Sequence, residues 1–278
     1  MSCRIIIDTG GEYTEEMRLN DIFRIAPLSI TIDEETFVDE TITQQELLQK
    51  IAASPNCPKS SCPSPESYME LYKCDSDNVY VVTLSAELSG SYNSAILGKN
   101  LYEEEYENKN IYVFNSKSAS VGQTNICMKI YEYEKAGMDF EEIVQKIEEF
   151  IEADTIYFVL ESLDALKKNG RLTGIKSVLA TALNIKPVMS ADENGIIIQK
   201  NQARGVKKAL VNMVDYIAAN VEHPEDRVIG IAHCNNYERA QLVSEMIASK
   251  VKFKDIYISE TSGISTLYAS EGGIIVSF

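Results

Sequence analysis

Histidine is nearly missing from this sequence: in 278 residues only His223 and His233 occur. Nucleophilic hydrolysis needs a base held beside the nucleophile, and neither histidine suits that role. His223 precedes Pro224 in a polar stretch and reads as a surface residue, while His233 follows an apolar strand-like run and reads as a satisfied strand end. Basic residues are also short, 26 Lys and Arg against 42 Asp and Glu, for a net charge of −16. That balance excludes nucleic acid as a partner, because no basic excess exists to neutralise phosphates. No apolar run approaches the ~18 residues of a membrane span, and the first apolar run, residues 5–7, is too short for a signal peptide. The six cysteines contain no CxxC pair, and Cys57 and Cys62 lack the Cys or His partners of a zinc site, so reduced thiols in the cytoplasm are expected. Phosphate-binding glycine loops, HExxH and paired-acid motifs are missing too, and the acidic runs 103–107 and 148–152 read as solvated helix faces. No catalytic residue, metal or cofactor is expected.

What the chain does have is a succession of apolar strands and amphipathic helices. Residues 79–83 form an apolar, β-branched run with the composition of a buried parallel strand. A hydroxyl-rich turn at 85–91 follows, then a helix from about Tyr92. Such a strand, turn and helix can hold an anion on free N–H groups and the positive helix end, with Gly90 allowing close approach. Capping by the same serines accounts for the pattern equally well. Residues 111–115 lead into a second such turn, with Ser116, Ser118, Ser120 and Gly122. Extended segments at 4–8, 23–32 and 37–39 surround these, with helices opened by the Thr43/Glu46 capping box, by Ser64-Pro65, and at 140–151. Ligands of open parallel sheets sit beyond the carboxyl ends of the strands.

The texture changes near Asp154. Strands are expected at 156–160, 185–189, 195–198, 227–232 and 255–260, with helices at 162–168, 177–183, 207–219 and 238–250; residues 272–278 close the sheet as its last strand. The expected fold class is therefore α/β with two domains. Residues 1–153 form an N-terminal α/β domain with an open, mostly parallel sheet, and residues 154–278 a C-terminal α+β domain with a mixed sheet, the ligand lying between them. Ser60, Ser61, Ser64, Ser85, Ser89, Ser91, Ser118 and Ser120 fall in turns that could face that cleft and satisfy a carboxylate without a formal cation. For Ser64 and Ser118, helix capping is the favoured reading.

These segments together resemble the DegV family of bacterial fatty-acid-binding proteins. The resemblance is carried by Ser60-Ser61-Cys62-Pro63-Ser64-Pro65, by Leu88-Ser89-Gly90-Ser91-Tyr92-Asn93-Ser94-Ala95, and by Asn115-Ser116 with Ser120 and Gly122. In the second half it continues through residues 161–171, Leu183-Asn184-Ile185-Lys186-Pro187-Val188 and Arg204-Gly205-Val206-Lys207-Lys208-Ala209-Leu210. It implies a binding protein rather than an enzyme, holding one long-chain fatty acid in an interdomain tunnel, with no further cofactor. By position, Ser60 and Ser89, with the Gly90 amide, would hold the ligand's carboxylate, and Ser61 and Tyr268 would be further ligand-binding residues. Arg171 and Arg204 would face a separate ATP-dependent fatty acid kinase that forms the acyl-phosphate, with transient contact to a membrane surface in the cytoplasm. The sequence departs from the family where Tyr268 stands for a histidine, where Leu267-Tyr268-Ala269-Ser270-Glu271-Gly272-Gly273 lacks a Gly-Pro-Gly, where Ser60 and Cys62 replace Thr and Gln, and in Asp8-Thr9-Gly10-Gly11. Tyr268 can donate a hydrogen bond but is not cationic at neutral pH. Two other readings compete: an enzyme acting on a small phosphorylated or carboxylated metabolite at the same cleft, and a pure interaction module in which the serines are incidental.

Overall fold

Alternating runs of β-branched and amphipathic sequence build three sheets in the computed structural model, which describes residues 3–106, 109–172 and 184–278. The strands are β1 (Cys3–Asp8), β2 (Phe23–Ala26), β3 (Ser29–Ile32), β4 (Glu35–Val38), β5 (Lys59–Ser61), β6 (Asn78–Thr83) and β7 (Asn110–Asn115). They continue as β8 (Ile156–Val159), β9 (Ile185–Ala191), β10 (Ile197–Arg204), β11 (Val228–His233), β12 (Asp255–Glu260) and β13 (Ile274–Ser277). The α-helices are α1 (Glu15–Arg18), α2 (Gln44–Ala53), α3 (Pro65–Tyr72), α4 (Ser91–Glu105), α5 (Val121–Lys135) and α6 (Phe140–Ala153). After them come α7 (Asp164–Lys168), α8 (Val206–Asn220), α9 (Tyr237–Ala248) and α10 (Gly263–Ala269).

The first sheet, ordered β2-β1-β6-β7, is parallel throughout. Every residue of β6 is buried, as its unbroken apolar run requires when helices cover both faces. On one face Ile126 and Ile130 of α5 and Ile143, Ile147 and Ile151 of α6 pack on Ile5, Ile7, Tyr80, Val82 and Phe114. The α6 isoleucines recur every four residues, so one stripe of the helix is buried, each side chain contributing about 1.5–3 kcal/mol before entropy costs. On the other face Tyr68 and Tyr72 of α3 and Ala95 and Tyr102 of α4 cover Ile6, Val79, Val81 and Val113. The Thr43/Glu46 capping box and the Ser64 cap form as expected, Ser64 Oγ accepting from Ser67 N.

The second sheet is mixed and ordered β10-β9-β8-β13-β11-β12; only β11 and β12 run parallel. The last strand does not close an edge. It inserts between β8 and β11, because both of its neighbours accept it antiparallel. Helices α8 and α9 pack one face of this sheet, and the other turns toward the N-terminus of α5, where Gly230 lets Val121 approach to within 2.9 Å of where a Cβ would stand. Pro27 separates β2 from β3, and β3 turns into a third, antiparallel sheet, β4-β3-β5. Its Ile30 and Ile32 share a cluster with Leu47 of α2 and with Ile264 and Leu267 of α10, so the two ends of the chain meet there. The helix expected at 177–183 lies outside the described residues, as does Leu183 of the motif that continues to Val188. Among the described residues no helix is long and apolar enough to cross a membrane.

Candidate functional site

The carboxyl ends of β1, β6 and β7 deliver their loops to the open face of the mixed sheet. Asp8, at the end of β1, is fully buried and accepts from Gly10 N (3.0 Å), Leu84 N (2.9 Å) and Gln123 Nε2 (2.9 Å). Burial pushes its pKa up while these donors pull it down, and the net effect is upward. The carboxylate thereby fixes where the chain leaves β6. The next residue, Ser85, closes the turn: Leu88 N and Ser89 N donate to its carbonyl at 2.9 and 3.1 Å, and its own N–H donates to Ser118 O at 3.0 Å. Its Oγ reaches across to the β9–β10 hairpin and donates to Gly195 O at 3.0 Å. Gly195 has φ +84°, and a Cβ there would fall 2.4 Å from Ser85 Oγ, so only glycine permits this junction.

Between these loops and the mixed sheet lies a cavity in which the centre of a water-sized sphere can move through about 90 Å³. Leu28, Leu88, Phe158, Leu160, Ile197 and Ile275 give it an apolar wall. Ser60, Ser89, Arg171 and Tyr268 lie together in its lining. Ser60 Oγ and Tyr268 Oη are hydrogen-bonded at 2.8 Å. The Arg171 guanidinium stands over the Tyr268 ring, 5.6 Å from its centroid, and donates from Nε to Leu88 O (3.2 Å) and from Nη1 to Asn169 O (2.7 Å). It makes no ion pair with a carboxylate among the described residues. Ser89 Oγ bonds Ser91 Oγ at 3.0 Å and accepts from Ser91 N at 3.2 Å, at the start of α4. Serine hydroxyls, a phenol and one unpaired guanidinium against an apolar wall can hold an anionic head group with an apolar tail. The only titratable side chains lining the cavity among the described residues are Lys117, Arg171 and Tyr268, so a general base of the histidine or carboxylate kind is missing from it.

The structure brings Ser60, Ser89, Tyr268 and Arg171 together. Ser61 is exposed and does not line the cavity: β5 pairs Ser60 with the buried Ile30 and Ser61 with Ser29, and successive strand residues face opposite ways. Gly90 is exposed at the N-cap of α4, its N–H unbonded among the described residues, with the exposed Cys62 Sγ 3.2 Å from where a Cβ would be. Arg204 is exposed at the end of β10 and outside the cavity lining. Ser118 caps no helix; its Oγ is buried without a hydrogen bond among the described residues. His233 is buried at the end of β11, where its Nδ1 accepts from Asn236 N at 3.3 Å and burial lowers its pKa.

Two buried acids that sequence reasoning passed over hold the helix that carries Tyr268. Glu12, 1% exposed, accepts from Ser120 Oγ at 2.6 Å and from Ser262 N at 2.5 Å, immediately before α10. Asp39 accepts from Ile264 N at 3.0 Å, in the first turn of α10. Both come from the first forty residues, so these contacts tie the Tyr268 helix to the parallel-sheet side. Desolvation raises both groups, Glu12 to about 7. In sequence they look like loop acids, and only the 250-residue separation between Glu12 and Ser262 explains why no local signal exists.

A family model described as uncharacterised proteins of the DegV family matches residues 2–278. A DegV domain-containing protein of Streptococcus gordonii is 34% identical over 282 residues, covering 100% of this chain and 99% of its own length. Among solved structures, a DegV family protein from Ruminococcus gnavus, refined with vaccenic acid, is 56% identical with a TM-score of 0.98, covering 100% of both chains. The Fatty Acid Kinase (Fak) B3 protein of Streptococcus pneumoniae, loaded with linoleic acid, is 32% identical with a TM-score of 0.89, covering 100% of this chain and 99% of its own.

Proposed function

Because the chain belongs to the DegV family, we propose that it binds one long-chain fatty acid between its parallel and mixed sheets. The carboxylate would lie at Ser60, Ser89, Tyr268 and Arg171, and the acyl chain along the apolar wall. The observation that carries this reading is the unpaired Arg171 guanidinium beside three hydroxyls at an otherwise apolar cavity. The fatty acids named for the related structures support it. Burying about a dozen methylenes is worth roughly 10 kcal/mol before association costs, so the tail supplies affinity and the polar cluster supplies orientation. The head group is presented to a separate ATP-dependent fatty acid kinase, which the kinase-subunit relative supports; Arg204 remains exposed for that contact. The chain acts in the cytoplasm as two units meeting near Asp154, touching membrane surfaces only transiently. Organic extraction of the protein purified from a bacterial host, followed by mass spectrometry, tests the binding. A fatty acid at near one equivalent is expected. Finding none, together with no binding of added palmitate or oleate, refutes it.

A further inference from the structure

Helix α7 ends in a turn that touches every other segment of the head-group cluster. Its C-terminus is closed by two hydrogen bonds, from Gly170 N to Lys167 O (3.1 Å) and from Arg171 N to Leu166 O (2.8 Å). Such a paired cap needs a left-handed residue after Asn169, which Gly170 supplies at φ +76°. The cap fixes where the Arg171 side chain leaves the helix, beside Leu166, and both residues line the cavity. From there Arg171 Nε reaches the carbonyl of Leu88, the residue before Ser89, while the guanidinium covers the Tyr268 ring. The remaining segment, β5 with Ser60, is reached by Asn169. Its Nδ2 donates to Pro58 O at 3.0 Å, two residues before Ser60, and to Ala165 O of α7 at 3.0 Å, with Cys57 Sγ at 3.5 Å. Two carbonyl acceptors fix which end of the amide faces them, since Oδ1 cannot donate.

We propose that Asn169 is a positioning residue of the head-group site. It pins the α7 turn to β5, and so sets the Arg171 guanidinium against the Ser60 and Tyr268 hydroxyls where a carboxylate needs it. This rests on the fatty-acid reading of the cavity. Asn169 does not line the cavity itself and works through its neighbours. Its side chain holds β5, and its own carbonyl accepts from Arg171 Nη1 at 2.7 Å. Ser60 has anchors of its own, the pairing of β5 with β3 and the 2.8 Å bond to Tyr268. The hydrogen bonds of Arg171 go to Leu88 O and Asn169 O, neither of them on β5, and the Asn169 amide joins that turn to the strand. A charge-assisted bond is strong only in good geometry, so a guanidinium that drifts loses most of its advantage over a neutral donor. The acyl tail is indifferent to that drift, because its wall is built by residues of other elements, Leu28, Phe158 and Ile275 among them. Asn169 therefore governs the preference for an ionised head group over a neutral one, not the affinity for the chain.

Palmitic acid and 1-hexadecanol share a chain and differ in the charge of the head group. Displacement of a fluorescent fatty acid from delipidated protein gives the ratio of their affinities. Asn169→Ala should lower the preference for palmitic acid at least about fivefold, chiefly through weaker binding of the acid. Asn169→Ser keeps a polar residue at the cap but is too short to span to Pro58 O, so it should lose as much, and it decides the question should the alanine variant not fold. A preference within about twofold of wild type in a folded variant overturns the proposal, whether both ligands weaken equally, as a purely structural role requires, or neither does. On an Arg171→Ala background, Asn169→Ala should change the preference by less than about twofold, since the guanidinium it sets is gone. A loss of about fivefold or more on that background overturns the proposal as well. Should wild type bind neither ligand, the underlying fatty-acid reading falls, an outcome distinct from the others.

Discussion

Glu12 makes the stability of this protein depend on pH in the direction opposite to ordinary acid denaturation. Desolvation raises the carboxyl from 4.5 to about 7, against hydrogen bonds from Ser120 and Ser262 that lower it. The folded state therefore holds a proton that the unfolded chain releases, and stability falls as pH rises through the folded value. Between about pH 8 and about pH 5.5, with pKa values of about 7 folded and about 4.5 unfolded, linkage gives a gain of about 2 kcal/mol on acidification. For a chain of 278 residues that is a rise in Tm of about 4 °C. Glu12→Gln keeps the shape and one acceptor but cannot titrate, so the wild-type minus variant Tm difference should change by about 4 °C across this window. Asp154, also raised to about 7, adds stabilisation of the same sign. His233, lowered by burial, loses stability as pH falls, but both are present in the two proteins and cancel in the difference. Differential scanning fluorimetry in matched-ionic-strength buffers measures it. A Tm difference constant across the window would show that Glu12 stays ionised in the fold and refute the desolvation argument.

Three further outcomes follow from the site. Tyr268→Phe removes the 2.8 Å bond to Ser60 but keeps the ring under Arg171, so palmitate affinity measured by fluorescent-ligand displacement should fall about five- to tenfold, with Tm within about 3 °C of wild type. Gly195→Ala forces a Cβ to within 2.4 Å of Ser85 Oγ at φ +84°, and thermal unfolding should register a loss of about 2–3 kcal/mol. Removing bound fatty acid should lower Tm, and restoring it at about 100 times its Kd should return about 2.7 kcal/mol, seen as a ligand-dependent shift in the unfolding curve.

The elements legible in the sequence are those whose identity is decided locally. Strand β6 is buried on both faces and so is apolar without a break from Val79 to Val82. The caps at Thr43 and Ser64 depend on residues three positions away. The Ser85–Ser91 turn is legible for the same reason, and with it Ser89. What escaped was decided by partners far along the chain. Helix α10 carries Tyr268, yet six of its seven residues are buried, so it shows no polar face and no helical period to read. Strand β5 is three residues long, and alternation says only that one of Ser60 and Ser61 faces inward. Pairing with β3 makes that residue Ser60, by setting it opposite Ile30, whose burial depends on Ile264 and Leu267 more than 230 residues later. The carboxylates of Glu12 and Asp39 close the same loop of dependence: each takes one of its donors from the N–H groups at the start of α10, Ser262 N for Glu12 and Ile264 N for Asp39. The Ser60–Tyr268 half of the head-group cluster is thus assembled by contacts between the first sixty residues and the last twenty, and a substitution in α10 should disturb Ser60 and Tyr268 before it disturbs either large sheet.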